Sequence, residues 1–163
     1  MFATKNRRAS GFTLVELIAV IVVLAILSGI ALPKYLDYSA RARSAALQGA
    51  LGGIRTGIAQ YFADQSVNGT AAYPTLAQLT TIGTVMQEAI PANPYNGLAT
   101  VTAATSAEAA AGTRTTTSGA SASGWRYYVD NTLSTPASVF YANCTDATKV
   151  NDSAGAAVTA NKL

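Results

Sequence analysis

The chain contains no histidine and a single cysteine, Cys144. The first absence excludes acid–base or nucleophilic chemistry built on imidazole. The second leaves neither an intramolecular disulfide nor a cysteine–histidine zinc cluster. Charge is also scarce, at 12% of residues, and one sign is displaced. Lys5, Arg7 and Arg8 carry the whole formal excess of +3, and beyond Gly11 the remaining 8 of 11 basic side chains match 8 acidic ones. Basicity confined to a leader makes no patch for nucleic acid, so none is expected as a partner. With no carboxylate pair or nucleophile constellation in view, an enzyme is not expected either, and no cofactor is implied. A chain of 163 residues, half of them apolar, suits one modest domain plus an accessory segment.

What the chain does have is one long apolar run, from Phe12 to Leu32, interrupted only by the carboxylate of Glu16. As a helix rising about 1.5 Å per residue it spans roughly 30 Å, the thickness of a hydrocarbon core. Basic residues before it predict a cytoplasmic N-terminus and an exported C-terminus. A secretory signal peptide also begins with a basic region, but its apolar stretch is shorter and ends in a small-residue cleavage site. Here the small residue, Gly11, precedes the run, so cleavage there would leave the helix on the mature protein.

The stretch Gly11-Phe12-Thr13-Leu14-Val15-Glu16-Leu17, after a short basic leader and before a long apolar helix containing Pro33, resembles the N-terminal signature of type IV pilins and of the related pseudopilins of type II secretion. The match is strong over about Arg7 to Tyr35 and weakens beyond Gln65. The resemblance implies that a membrane aspartyl protease, the prepilin peptidase, cuts between Gly11 and Phe12 and methylates the new amine of Phe12. It implies self-association into a helical filament, built by an inner-membrane assembly platform and its motor ATPase. Residues 1–11 are then a leader peptide and 12–32 a transmembrane and filament-core helix.

A carboxylate inside lipid costs several kcal/mol when alone, of order 2.5 to 3.5 for Asp even on the milder insertion scales. Glu16 therefore needs a partner, and the amine that cleavage creates on Phe12, its own or a neighbour's, is one. Two readings stand: Glu16 sets the register of subunit addition, or it snorkels to the interface near the start of the run. Pro33 cannot donate a backbone hydrogen bond and clashes with the carbonyl of Gly29, so the helix is expected to be weakest from about Ser28 to Pro33. That is a kink at the membrane surface or, following the family, a stretch that loses helicity in a filament.

Past Pro33, apolar residues recur at Leu47, Leu51, Ile54, Ile58 and Tyr61, one face of a helix. The expectation is a continuous rod to about residue 64, roughly 80 Å long. Its 33–64 half is amphipathic and needs a globular partner. Gly49, Gly53 and Gly57 recur at every fourth residue, each costing up to about 1 kcal/mol relative to Ala. Such a column, with Ala42, Ala46 and Ala50, either packs on neighbouring subunits or merely keeps that face from aggregating.

Residues 65–163 are expected to form the head. Thr75 and Gln78 make a capping box ahead of a short helix with Leu76, Leu79 and Ile82 on its apolar face. The 90–97 stretch is dense in turn formers and looks like the Pro-rich turn of the major pseudopilin, with Asn93 where that pattern often carries Asp. Residues 99–123, nearly all Ala, Thr, Ser and Gly, read as an exposed low-complexity loop, glycosylated or bare. Asn-x-Ser/Thr triplets at Asn68, Asn143 and Asn151 are short enough to arise by chance. A hairpin follows over 125–142, sending Trp125, Tyr127 and Val129 to one face, which is expected to lie on the Leu47–Tyr61 stripe. The fold class is thus α+β, a long N-terminal helix against a small antiparallel sheet.

Many type IV pilins close this region with a disulfide, for which Cys144 has no partner. It reads as a buried apolar residue, a free thiol or one half of an intermolecular bridge. The major pseudopilin uses calcium instead, and Asp130, Asp146 and Asp152 are candidate ligands, although calcium prefers six to eight oxygens. The expected function is a type IV pilus subunit, a bacterial inner-membrane precursor whose filament stands on the cell surface. The alternatives are a type II secretion pseudopilin, which would be periplasmic, and a membrane-anchored binding protein that never polymerises.

Overall fold

A computed structural model describes residues 11–110, 114, 116 and 123–163. The chain divides into two units, Met1–Ser39 and Ala40–Leu163. The described part of the first holds the opening stretch of helix α1 (Leu14–Val67), whose large apolar side chains from Leu14 to Leu36 are exposed. By length and composition α1 can cross a membrane, and none of its most apolar stretch is buried. Helical structure runs without a break through Ser28–Pro33, where the sequence led us to expect the weakest point. Pro33 removes one ladder bond, but the bonds on either side of it hold the helix.

In the second unit, α1 buries Leu47, Leu51, Ile54 and Ile58, and it ends slightly later than expected, at Val67. The ending is capped. Gly69 adopts a left-handed φ of +84°, its neighbour Thr70 donates from its N–H to the Gln65 carbonyl at 2.9 Å, and the Asn68 side-chain amide donates to the Asp64 carbonyl at 3.0 Å. Chain direction then reverses into α2 (Leu76–Thr80). Its capping box forms as expected: Gln78 N–H donates to Thr75 Oγ1 at 3.3 Å, and Thr75 N–H donates to Gln78 Oε1 at 2.8 Å. Leu79 is buried and Leu76 packs on the core, but Ile82 is 63% exposed. The helix stops at Thr80, before the turn that would have carried Ile82 inward.

The sheet has the order β1–β2–β3, with β1 at Val101–Ala103, β2 at Trp125–Asp130 and β3 at Ala137–Ala142. β2 and β3 form the expected antiparallel hairpin, in register from Trp125 opposite Ala142 to Asp130 opposite Ala137. Trp125, Tyr127 and Phe140 fall on one face and join Leu47, Leu51, Ile54, Ile58 and Leu79 in a single core. At roughly 2 kcal/mol for each large apolar side chain removed from water, this interface is what stabilises the head. Its aromatic polar atoms are met as well. Trp125 Nε1 donates to the Pro91 carbonyl at 2.8 Å and Tyr127 Oη to the Pro74 carbonyl at 2.7 Å.

Residues 99–123 depart from the expected loop. Val101–Ala103 add a parallel edge to β2, and Ser106–Ala109 form a short helix, α3, with its own capping box between Thr105 and Glu108. Glu108 then pairs with Arg126 at 2.7 Å, and Arg126 is itself buried. Composition misleads here because small residues leave no hydrophobic period, while a hydroxyl and a carboxylate three residues apart suffice to start a turn of helix. The rest of that stretch, 111–113, 115 and 117–122, lies outside the described residues. Beyond β3, two short strands not anticipated from sequence, β4 (Ala147–Asn151) and β5 (Ala157–Thr159), pair antiparallel before a closing 3-10 turn at Ala160–Lys162. Lys149 N–H donates to the buried hydroxyl of Ser44 at 2.9 Å, tying β4 to α1.

The 91–98 turn is held by the fully buried Asn93. Its Nδ2 donates to the Gly124 carbonyl at 2.8 Å and its Oδ1 accepts from Tyr95 N–H at 3.0 Å. A Cβ on Gly124 would stand 1.7 Å from the Leu98 carbonyl oxygen, so that approach requires glycine. Gly124→Ala should therefore lower unfolding free energy by on the order of 3 kcal/mol, as measured by urea titration of the detergent-solubilised chain.

Glu108 and Asp130 are both held below their ordinary carboxyl values, Glu108 first by the Thr105 N–H and hydroxyl and Asp130 by the Thr132 hydroxyl and N–H. A depressed folded-state value contributes stability above the unfolded value and loses it as pH falls through the folded one. With no histidine to titrate, the thermal midpoint should stay flat from about pH 8 to 5 and fall below about pH 4. Part of that fall should vanish in Glu108→Gln.

Candidate processing and assembly site

Three residues precede α1 in extended or irregular backbone, Gly11, Phe12 and Thr13, and all are exposed, Phe12 to 85%. A Cβ on Gly11 would meet nothing within 4 Å. Among the described residues nothing packs against Gly11, and the backbone on either side of the Gly11–Phe12 bond is outside the helix.

Thr13 explains why the helix begins at Leu14. Its hydroxyl accepts from Glu16 N–H at 3.2 Å, while Glu16 Oε2 accepts from Thr13 N–H at 2.9 Å and from the Thr13 hydroxyl at 2.8 Å. This reciprocal pair is a capping box, spaced as Thr-x-x-Glu. The carboxylate also sits at the positive end of the helix dipole. The Thr-x-x-Glu spacing is visible in the sequence, yet the expectations for Glu16, an amine partner on Phe12 or snorkelling to the interface, leave Thr13 out. Oε2 takes both bonds, and Oε1 has no partner among the described residues.

The small-residue column divides. Gly49 and Gly53 have open space where a side chain would go, and Ala42 and Ala46 are exposed. Gly57 does not belong with them. A Cβ there would lie 2.8 Å from Met86 Sδ and 3.5 Å from the Val85 carbonyl, so it accommodates the 82–90 loop of its own head. Ala50 likewise packs on the core. At about 100° per residue the column drifts around the helix, and its C-terminal end turns under that loop. Gly29 has nothing within 4 Å, and Pro33 is exposed.

The three candidate calcium ligands are not brought together. Asp130 Oδ1 is taken by the Thr132 hydroxyl at 2.6 Å and N–H at 2.9 Å, and Asp152 Oδ1 by the N–H groups of Ala154 and Ala156 at 2.9 Å each. Asp130 and Asp152 are thus spent on turns, and no group of three or more Asp, Glu, Cys or His residues suited to a metal occurs among the described residues. Cys144 is buried, with burial pushing its thiol up and Asn93 Nδ2 3.5 Å from its sulfur. That agrees with the reading of an inert apolar residue rather than a reactive thiol.

Residues 6–32 match the family model described as the prokaryotic N-terminal methylation motif. The chain is 42% identical over 57 residues to fimbrial protein EcpC of Eikenella corrodens, covering 35% of this chain and 37% of that one. It is 33% identical over 88 residues to type IV major fimbrial protein FimA of Dichelobacter nodosus, covering 53% and 55%. It is 36% identical over 62 residues to type IV major pilin protein PilE of Neisseria gonorrhoeae, covering 38% and 37%. These matches span from about a third to just over half of the relatives' lengths. No solved structure matches the chain.

The split column is testable within one molecule. Gly53→Leu should leave the thermal midpoint of the solubilised chain within about 1 °C of the parent, and Gly57→Leu should lower it by several degrees, because only the second collides with the head.

Proposed function

We propose that this chain, whose amino-terminal segment is that of the type IV pilin family, is the precursor of a type IV pilus subunit. Prepilin peptidase would cut between Gly11 and Phe12 and methylate Phe12. The assembly platform and its motor ATPase would then draw α1 out of the inner membrane into a homopolymeric filament. The observation that carries this reading is the junction itself, an exposed Gly–Phe bond immediately ahead of a capped helix whose most apolar stretch is unburied. A membrane anchor needs the apolar helix but neither the junction nor the carboxylate.

Unburied apolar surface of this extent is stable in lipid or against other such helices, not in water. The leader's Lys5, Arg7 and Arg8 favour a cytoplasmic N-terminus in the precursor. In the filament, the cationic amine of Phe12 would meet Glu16 Oε1 while Oε2 keeps the Thr13 cap, so that a mispositioned subunit leaves a carboxylate unpaired in an apolar core. Gly49, Gly53, Ala42 and Ala46 would let a neighbouring helix approach closely. The pseudopilin alternative keeps the same processing and differs in where the filament stands. The fimbrial and pilin names of the relatives favour the surface pilus.

Mass spectrometry of filaments sheared from the cell surface should find this chain starting at N-methylated Phe12. A mature chain starting beyond Leu32 would overturn the proposal, and recovery from the envelope alone would move it to the pseudopilin. Glu16→Ala should reach the membrane and be cleaved, yet reduce surface filaments at least about tenfold, the equivalent of roughly 1.4 kcal/mol. Wild-type filament yield from that variant would remove the register role.

A further inference from the structure

The dipeptide Asn-Gly occurs twice in the chain, at Asn68-Gly69 and Asn96-Gly97, and the fold holds the two differently. Both pairs are exposed, and both glycines take a left-handed φ, +84° at Gly69 and +73° at Gly97. Asn96 is tied to distant parts of the head. Its Nδ2 donates to the Ser123 carbonyl at 3.0 Å and to the Asn143 carbonyl at 3.4 Å, and its Oδ1 accepts from Leu98 N–H at 3.1 Å. Gly97 N–H donates to the carbonyl of the fully buried Asn93 at 2.8 Å. Asn68 and Gly69 have only local bonds. Asn68 Nδ2 donates to the Asp64 carbonyl at 3.0 Å, its Oδ1 has no partner among the described residues, and Gly69 N–H reaches the Ser66 carbonyl at 3.2 Å. What holds this pair is the last turn of α1, and helix ends open at little cost.

An Asn side chain followed by glycine is open to attack by the next backbone nitrogen, because glycine has no Cβ to obstruct the approach. We propose that Asn68 is a site of spontaneous deamidation, and that Asn96 is protected from the same reaction by its bonds. The Gly69 nitrogen gives its proton to hydroxide and bonds to Asn68 Cγ, the Cγ–Nδ2 bond breaks, and Nδ2 takes up a proton and leaves as ammonia. Water then opens the cyclic imide at either carbonyl, giving Asp or, with the main chain rerouted through the side chain, isoaspartate. Water is consumed and ammonia released, with no change of oxidation state. The product alters the end of α1. The amide donor to the Asp64 carbonyl is gone, and a carboxylate replaces it at the negative end of the helix dipole, one turn from Asp64 itself. The reaction is thus a one-way loosening of the α1 terminus that accumulates with the age of the molecule. It is independent of the assembly reading, since every residue involved lies in the head.

The test is peptide mapping by mass spectrometry of the full chain aged in detergent micelles in warm, mildly alkaline buffer, beside a sample unfolded in guanidinium chloride. In the folded chain the Asn68 peptide should gain the mass of an amide-to-acid exchange and split into Asp and isoaspartate forms. The Asn96 peptide should convert at least about tenfold more slowly, since its reaction needs the 91–98 turn to open. In guanidinium chloride the two rates should converge. No conversion at Asn68, equal or faster conversion at Asn96 in the folded chain, or a difference that survives unfolding would overturn the proposal. Asn68→Asp reads the consequence directly: it should lower the thermal midpoint of the solubilised chain by about a degree or more, and an unchanged midpoint would remove the loosening of α1.

Discussion

Leu47, Leu51, Ile54 and Ile58 lie on one stripe of a helix that would otherwise stand bare in water, and the architecture of the head follows from covering them. A two-stranded hairpin is marginal alone, and so is one amphipathic helix. Placed face to face they bury Trp125, Tyr127 and Phe140 against four aliphatic side chains, with the Trp125 and Phe140 rings 5.5 Å apart. Secondary elements outside that sandwich are short, from three to five residues. They are held by polar locks rather than by large apolar surfaces of their own.

Those locks share one chemistry. Asn93, Asn143 and Ser123 are buried side chains whose bonds run largely to backbone groups, so loops without hydrophobic period still have their main-chain polar atoms satisfied. Asn131 does the same at the surface, accepting from Tyr73 N–H and donating to the Tyr73 carbonyl, both at 2.9 Å. A chain with one cysteine and no gathered metal ligands among the described residues relies on amides where other small domains use a disulfide or a cation. Asn93 takes the position where the resemblance suggested Asp. As an amide it can donate to Gly124 and accept from Tyr95 at once, whereas an ionised carboxylate only accepts.

The parts of the fold legible in sequence were those with a period. The stripe on α1, the alternation in β2 and the β-prone run of β3 all announced themselves through apolar spacing. So did the Thr75–Gln78 box, through residue types at a fixed offset. β1 and α3 were not legible because Val101 is the only large aliphatic side chain among residues 99–123, and what orders that region is the Glu108–Arg126 pair, a contact between residues 18 positions apart that no local window contains. The strands β4 and β5 escaped for a related reason. Their burial comes from meeting Ser44 and each other, and five or three residues carry too little pattern to show it. At the candidate site the reverse held: the junction and Glu16 were plain, whereas Gly57 shared a spacing with Gly49 and Gly53 without sharing their surroundings.

Glu16 joins the two levels. Considered only as a charge in lipid, it is a liability that some second molecule has to offset. Considered as the third residue of a helix, it is a good choice, since its carboxylate closes a capping box with Thr13, in which the Thr13 and Glu16 N–H groups that lipid cannot hydrate both find acceptors. The two accounts do not compete for the same atoms. A carboxylate offers about four lone-pair sites, and the cap uses only Oε2. The cap also fixes where Oε1 stands, because Thr13 holds the side chain against the first turn. A cation arriving there meets an acceptor already oriented, and little side-chain freedom remains to be lost on pairing. Thr13 thus bears on any assembly role of Glu16 without itself meeting the partner.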